Sequence, residues 1–401
     1  MAERHGPKTI LALSSYFKGN RFLQACKQAG WRVLLLTLES RKNESWARES
    51  LDDVFLMPSF APLRPVIDGI AYLMRTTRID ALVALDDFDV EIGAALRDHF
   101  RLGGLDLGTM RFFRDKLAMR GQAQTTGILV PPFTAVFHPP DVEAFLASVP
   151  APWLLKPRMQ ASSIGIEKYH DPAPVRQRLE SLGDARSDYL LEQFLPGDLY
   201  HVDTLAHRGE VRFAEVGVYH RPLLELWTGG GVFSSQTLSR DLPEHAELIR
   251  NTAQVLRQFR LPRGCSHTEW IRAQADGRFY FLETSARVGG ANISDMVEAA
   301  TGVNLWAEWA NIEMAVDGPY EPPPVRRDYG GVVVSLCKFE KPDYAPFTDP
   351  EVWMKLEQKS HIGLVVRATS SQRVSELLAR YREIIARDYL AVLPPSEKPT
   401  N

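Results

Sequence analysis

Phe281-Leu282-Glu283-Thr284-Ser285-Ala286-Arg287 and, upstream of it, His267-Thr268-Glu269-Trp270 flank the turn signal Asp276-Gly277. If both segments are strands, alternation puts His267, Glu269 and Ile271 on one face and likewise aligns Glu283, Ser285 and Arg287. Two carboxylates on neighbouring strands make a magnesium site, with substrate phosphates completing the octahedron. Arg287 then faces the reacting anion, where its fork can stabilise developing charge. A cross-strand salt bridge from Glu269 or Glu283 to Arg287 explains each residue singly but explains the ordered set less well.

Three segments upstream fit the same task of holding a nucleoside triphosphate. Lys156 closes the apolar run Trp153-Leu154-Leu155. A lysine there has a buried backbone and a head able to neutralise phosphate oxygens as a point charge, or else it snorkels to the surface. Gln160-Ala161-Ser162-Ser163-Ile164-Gly165-Ile166 is a small-residue loop whose N–H groups can converge on an anion, although ordinary turns use the same residues. Leu191-Glu192-Gln193-Phe194-Leu195-Pro196-Gly197 ends an apolar run and can offer an adenine edge one backbone donor and one acceptor, with Glu192 accepting from the exocyclic amine. Alone it reads as a strand ending in a Pro-Gly turn.

The first third of the chain has a different rhythm. Strands are expected at 9–13, 33–38 and 81–85, and helices at 20–29, 66–74 and 90–100, which predicts a doubly wound α/β unit. Ser14-Ser15-Tyr16-Phe17-Lys18-Gly19-Asn20 lacks the glycine pattern of a dinucleotide fingerprint. The acidic run Asp86-Asp87-Phe88-Asp89 follows the third expected strand, where such sheets often face a ligand; a solvated loop with a helix cap at Asp89 is the plainer reading. A basic helix is expected from Thr109 to Ala123. After Pro150 the texture turns β-rich, with strands at 153–155, 189–194, 200–205, 211–218, 279–283, 331–339 and 362–368. Helices are expected at 141–148, 245–259, 302–315 and 371–390. Leu226-Trp227-Thr228-Gly229-Gly230-Gly231-Val232-Phe233-Ser234-Ser235 reads as a flexible flap with apolar walls, or as a surface loop with Trp227 packed beneath it.

With 401 residues, 45% apolar and 24% charged, the chain is long enough for two or three compact units and excludes disorder, collagen and coiled coil. Lys+Arg 47 against Asp+Glu 50 gives a net charge of −3, so no basic excess drives nucleic-acid binding. No stretch approaches the ~20 apolar residues of a membrane helix. Cys26, Cys265 and Cys337 lie too far apart for a disulfide framework, which favours packed thiols and a reducing cytoplasm.

The order of these elements resembles the ATP-grasp family of carboxylate ligases over nearly the whole chain. The resemblance implies an α/β and α+β multidomain protein. Residues 1–108 form an N-terminal doubly wound α/β domain, 109–318 an ATP-grasp domain of two α+β subdomains with a lid at about 150–195, and 319–401 a C-terminal α/β extension. It implies ATP and Mg2+ as cofactors. Lys116 and Lys156 bind phosphates, Ser163 and Gly165 lie in the lid loop, and Glu192 and Leu195 (through its backbone) hold adenine. Asp198 or His201 meets the ribose, and Glu269 and Glu283 hold metal. Where the family reads Glu-x-Asn-x-Arg, Ser285 replaces the amide with a shorter hydroxyl that can ligate or hydrogen-bond through water. Arg287 stabilises an acyl phosphate. The implied reaction activates a small-molecule carboxylate with Mg-ATP for attack by an amine. A non-catalytic ATP sensor and bicarbonate activation of the biotin-carboxylase type are the alternatives. Trp306, Trp309 and the last strand offer a homodimer surface, and core packing explains them equally well.

Overall fold

The computed structural model describes residues 6–391 apart from Ser162, Leu223, Glu225, residues 227–229 and Asp317. Trp227, within the expected flap, and the tail after 391 therefore lie outside the described residues.

Strands β1 (Thr9–Ser14), β2 (Arg32–Leu38), β3 (Asp53–Met57) and β4 (Ala81–Ala84) form a parallel sheet in the order β3-β2-β1-β4. Continuous apolar runs make β1, β2 and β4 because both faces are covered by helices. β3 escaped the sequence reading: Asp53-Val54-Phe55-Leu56-Met57 is a partly exposed edge strand without a long apolar run. The strand order reverses between β1 and β4, the usual place for a ligand in such sheets. There the loops after both strands interlock. Ser15 N–H donates to Asp89 Oδ2 at 2.6 Å, and Lys18 pairs with Asp86. The plainer reading of the acidic run is thereby corrected. Asp86, Asp87 and Asp89 are all buried, and Asp89, facing Ser15, does not cap the helix Val90–Phe100.

The basic helix is not continuous. A short helix Leu107–Met110 and a tight turn end at Arg114, and a new helix runs Lys116–Thr125. Asp115 starts it, accepting from the N–H of Leu117 and Ala118. The cap fixes Lys116 at the first helical position. Next come β5 (Phe133–Ala135), β6 (Trp153–Pro157), β7 (Glu167–Tyr169) and β8 (Tyr189–Gln193), an antiparallel sheet ordered β5-β8-β6-β7. Helices Pro139–Ser148 and Pro172–Leu182 cover one face around Trp153, Leu155 and Leu191.

The remaining strands make one eight-stranded sheet: β9 (Gly197–His207), β10 (Glu210–Tyr219), β11 (Phe233–Thr237), β12 (Arg263–Ala273), β13 (Phe279–Ser285), β14 (Tyr329–Leu336), β15 (Val352–Lys355) and β16 (His361–Ala368). Its order is β13-β12-β9-β10-β11-β14-β16-β15. Two expectations change. Phe233-Ser234-Ser235 lies in β11, paired on both sides, not in a flap. Gly302, at φ 82, ends the helix Ile293–Thr301, so the tryptophan-rich helix starts later, at Leu305. Strands from the stretch read as a C-terminal extension extend this same sheet. Helix Pro243–Gln258 packs on one face with Trp270 and Phe281, whereas Ile293–Thr301 packs on the other with Val332 and Val365.

Candidate active site

Between the four-stranded antiparallel sheet and the eight-stranded sheet lies a cavity of about 500 Å3, a size suited to a nucleotide-sized ligand. Lys116, Lys156, Ser163, Glu192, Leu195, Asp198, Glu269 and Glu283 line it together, although they are scattered over 168 positions of the chain (283 − 116 + 1). Gly165, Ser285, Arg287 and His201 are not on its wall.

The cavity floor is a cross-strand pair. Glu269 on β12 sits directly opposite Glu283 on β13, and a bulge follows immediately. That register turns both carboxylates to one face, as alternation predicted. Glu283 Oε2 lies 2.9 Å from Lys116 Nζ, which also donates to Gln160 O at 2.5 Å. Burial works against the Glu283 charge, but Lys116, Lys156 and Arg120 overcome it and bring the carboxyl down to about 2. Both floor carboxyls are thus suited to a hard cation with oxygen ligands.

On the opposite wall Glu192 is fully buried on β8. Its Oε1 meets Lys156, and its Oε2 lies 2.6 Å from Arg120 Nε. Burial opposes its charge, yet the two cations hold it below the usual glutamate range. Both oxygens are engaged, so its first role is to anchor Lys156 beside the cavity. Arg120 was missed as a site residue: it sits one helical turn after Lys116 and also donates to Leu282 O, tying helix, lid and floor together. Lys168 Nζ lies 3.5 Å over the Phe194 ring, beside Leu195 in the hinge.

The ribose expectation narrows. Asp198 is exposed at the cavity mouth, whereas His201 is fully buried and is corrected as a nucleotide contact. Its Nδ1 lies 2.7 Å from Asp203 Oδ2 and its Nε2 2.7 Å from Ser235 Oγ, leaving neither nitrogen for a ligand. His201 instead begins a buried chain of polar groups. Asp203 Oδ1 is 2.9 Å from His267 Nδ1, and His267 Nε2 is 3.1 Å from the Tyr219 hydroxyl. Tyr219 in turn donates to Glu269 Oε1 at 2.9 Å. Ligand atoms of His201, Asp203 and His267 lie within 4.8 Å of one another. Each carboxylate oxygen already has its own imidazole, so the trio is a hydrogen-bonded relay that fixes Glu269. Burial disfavours the His267 cation, but Asp203 and its hydrogen bonds raise it to about 9. Glycine makes room for the relay. A Cβ on Gly217 would stand 2.2 Å from His201 Nε2, and one on Gly289 would stand 2.7 Å from Asp203 Oδ1. The period-two pattern His201-x-Asp203 and His267-x-Glu269 in buried strands was the available signal.

Ser285 pairs with His267 across the ladder. Arg287 donates to Val288 O at 3.0 Å and, among the described residues, forms no salt bridge, so the cross-strand salt bridge is not its role. Burial alone would weaken its charge, but Asp87, Asp86, Tyr219 and Glu283 raise it. Arg287 thus feels the charge of Glu283 and of the N-terminal carboxylates Asp86 and Asp87 together. Asp87 is held from the other side: Arg114 Nη1 lies 2.5 Å from its Oδ2 and Arg114 Nη2 donates to Met159 O at 2.6 Å. Its Oδ1 is buried without a hydrogen-bond partner. Lys156 and the two glutamates could be singled out from sequence because each is a charge in a strand-like segment, whereas Lys116 was reached only through the family resemblance. Arg114 and Asp87 could not, because their partners come from other units.

Cys26, Cys265 and Cys337 are buried free thiols, and burial pushes Cys26 up to about 12, which suits packing and not nucleophilic chemistry. Among the described residues no helix is long and apolar enough to cross a membrane.

No protein-family model matches the chain. An L-arginine-specific L-amino acid ligase of Bacillus subtilis is 25% identical over 311 residues, covering 76% of this chain and 74% of that protein. A D-alanine–D-alanine ligase of Neisseria gonorrhoeae is 26% identical over 190 residues, 45% of this chain and 60% of its own length. The crystal structure of an L-amino acid ligase from Bacillus licheniformis superposes with a TM-score of 0.74 at 18% identity, covering 95% of this chain and 98% of the other.

Proposed function

We propose, for a chain that belongs to the ATP-grasp carboxylate–amine ligases, that the cavity binds Mg-ATP and that amino acids supply both the carboxylate and the amine. The carrying observation is the Glu269–Glu283 pair in one cavity with Lys116 and Lys156. The ATP-dependent activation of a carboxylate for amine ligation is the family's chemistry, and neither a silent sensor nor bicarbonate activation is favoured.

Glu269 and Glu283 would hold Mg2+, and Ser285 stands close enough in sequence to assist through water. The cation supplies charge neutralisation of the phosphate oxygens when bound. The remaining work falls to the chain's own groups. Lys116 leaves Glu283 for a phosphate oxygen, and Lys156, anchored by Glu192, does the same from the lid. The Leu195 backbone and Asp198 border the base and sugar. Phosphoryl transfer then needs positioning more than covalent help. The γ-phosphoryl group passes to the substrate carboxylate, releasing ADP, and the amine displaces phosphate from the acyl phosphate. Arg287, off the cavity wall but within electrostatic reach of Glu283, would stabilise the charge that develops on the acyl phosphate. Asp86 and Asp87, already paired with Lys18 and Arg114, act on Arg287 from the N-terminal sheet.

The test is phosphate release by purified protein with Mg-ATP and pools of amino acids. Release that requires both an acid and an amine, with a dipeptide or related amide as product, supports the reading. Tight ATP binding with silence across broad pools overturns it in favour of a sensor.

A further inference from the structure

The two floor carboxylates are held by partners of opposite kinds. Glu283 Oε2 lies 2.9 Å from Lys116 Nζ, and Lys116 lines the cavity, where it can turn to another anion. Glu269 Oε1 instead accepts from the Tyr219 hydroxyl at 2.9 Å. Tyr219 is 6% exposed and is not on the cavity wall. Its ring lies 4.8 Å from that of His201 and 5.9 Å, edge on, from that of Phe233. A phosphate can draw Lys116 off its glutamate, but it cannot draw off Tyr219.

Proton counting fixes the direction of the tyrosine bond. A carboxylate only accepts and a phenol has one proton, so Tyr219 gives that proton to Glu269. The phenol oxygen then accepts from His267 Nε2, 3.1 Å away. Nδ1 of the same ring lies 2.9 Å from Asp203 Oδ1, and Asp203 Oδ2 is held by His201. The imidazole cannot turn without losing Asp203, so the hydroxyl is aimed from behind.

The outcome is a lopsided glutamate. Among the described residues every hydrogen bond to the Glu269 carboxylate falls on Oε1, and His267 Nε2, at 3.5 Å, approaches that same oxygen. Oε2 accepts none, while Glu269 lines the cavity. A carboxylate with one oxygen tied behind it offers a cation one ligand atom. Mg2+ is content with that, since it takes single oxygens at about 2.0–2.1 Å in a near-ideal octahedron. Ca2+ takes more oxygens at about 2.3–2.6 Å and gains from carboxylates that give both.

On the reading that Glu269 and Glu283 hold the metal, we infer that Tyr219 is a positioning residue that favours Mg2+ over Ca2+, by keeping Glu269 Oε1 for itself and leaving Oε2 as the single ligand atom. It touches neither nucleotide nor substrate and acts only through Glu269.

The experiment measures ADP binding to the full chain by calorimetry in Mg2+, in Ca2+ and with a chelator, so it needs no turnover. The readout is the dissociation constant in Ca2+ divided by that in Mg2+. For wild-type protein this ratio should be roughly tenfold or more. Tyr219→Phe keeps the ring and should lower the ratio roughly tenfold, chiefly through weaker binding in Mg2+, while affinity with the chelator stays within about twofold of wild type. A merely structural role would weaken all three together. p-Aminophenylalanine in place of Tyr219, a weaker donor on the same ring, should give a ratio between the two, and it serves as the test if Tyr219→Phe does not fold. A wild-type protein that binds ADP equally well in Mg2+ and Ca2+ overturns the inference. So does a wild-type ratio in Tyr219→Phe, or in the amino variant where the phenylalanine variant does not fold. Equal binding in Mg2+ and in chelator would instead strike the metal assignment itself, so the two failures are distinct.

Discussion

Two sets of buried charges meet at the Glu269–Glu283 pair, and they are built in opposite ways. On the cavity side, Lys116, Lys156, Arg120, Glu192 and Glu283 pair across three separate units, and the lysines reach open space. On the relay side, His201, Asp203, His267 and Tyr219 lie on neighbouring strands of one sheet, and each polar atom is spent on another member, on Ser235 or on Glu269. The difference separates charges kept for a ligand from charges kept for the fold. Cavity pairs can be exchanged for phosphate and metal. Relay pairs cannot be exchanged without leaving a buried charge unmatched.

That contrast can be broken by mutation. Asp203→Asn should cost about 3–5 kcal/mol of stability, because two imidazoles lose their shared carboxylate. A denaturant midpoint equal to that of wild type would put the relay on the wrong side of the comparison. Glu283→Gln should lower kcat by roughly 10²–10³-fold, and it should also lose the stability that Lys116 gives the charged carboxyl, so activity and not melting temperature marks it as a group kept for a ligand. Equal activity in the variant would remove the metal assignment. Lys156→Ala should raise the KM for ATP by roughly 10–100-fold, the worth of a charge-assisted hydrogen bond. It would also leave Glu192 paired with Arg120 and hence the lid folded. Gly217→Ala drives a Cβ to 2.2 Å from His201 Nε2 and should cost about 1–3 kcal/mol by overpacking, read from the melting temperature.

The smallest effect concerns pH and sharpens the comparison by its sign. His267 is raised from 6.5 to about 9, so its contribution is fully present below pH 6.5 and fades as pH rises through about 9. Glu283 is lowered from 4.5 to about 2, so its contribution is present above pH 4.5 and fades as pH falls through about 2. Melting temperature should therefore decline at both ends. His267→Asn should flatten the alkaline limb and leave the acid limb in place.

Local pattern carried a good deal of this. The apolar runs of β1, β2 and β4 announced a parallel sheet, and Val90–Phe100 is a helix over the span its periodicity gives. Edge strand β3 and short strand β15 were illegible because a partly exposed strand needs no long apolar run. The basic helix broke where Asp115 offered a better cap than continuation could match. His201 shows the limit at the site. A histidine three residues after an aspartate near a hinge looks available, and only packing against Ser235 and Asp203 reveals that it is not.

The sequence by itself determined which residues carry charge within apolar segments, and alternation set which neighbours share a face with Glu269 on one strand and with Glu283 on the other; the pairing register aimed the two the same way. Tertiary structure alone decided which charges became partners. Arg120 with Glu192, Arg114 with Asp87 and Asp203 with His267 join residues 72, 27 and 64 positions apart. Local periodicity extends over a turn or a strand, whereas an ion pair forms wherever folding brings two charges out of water together.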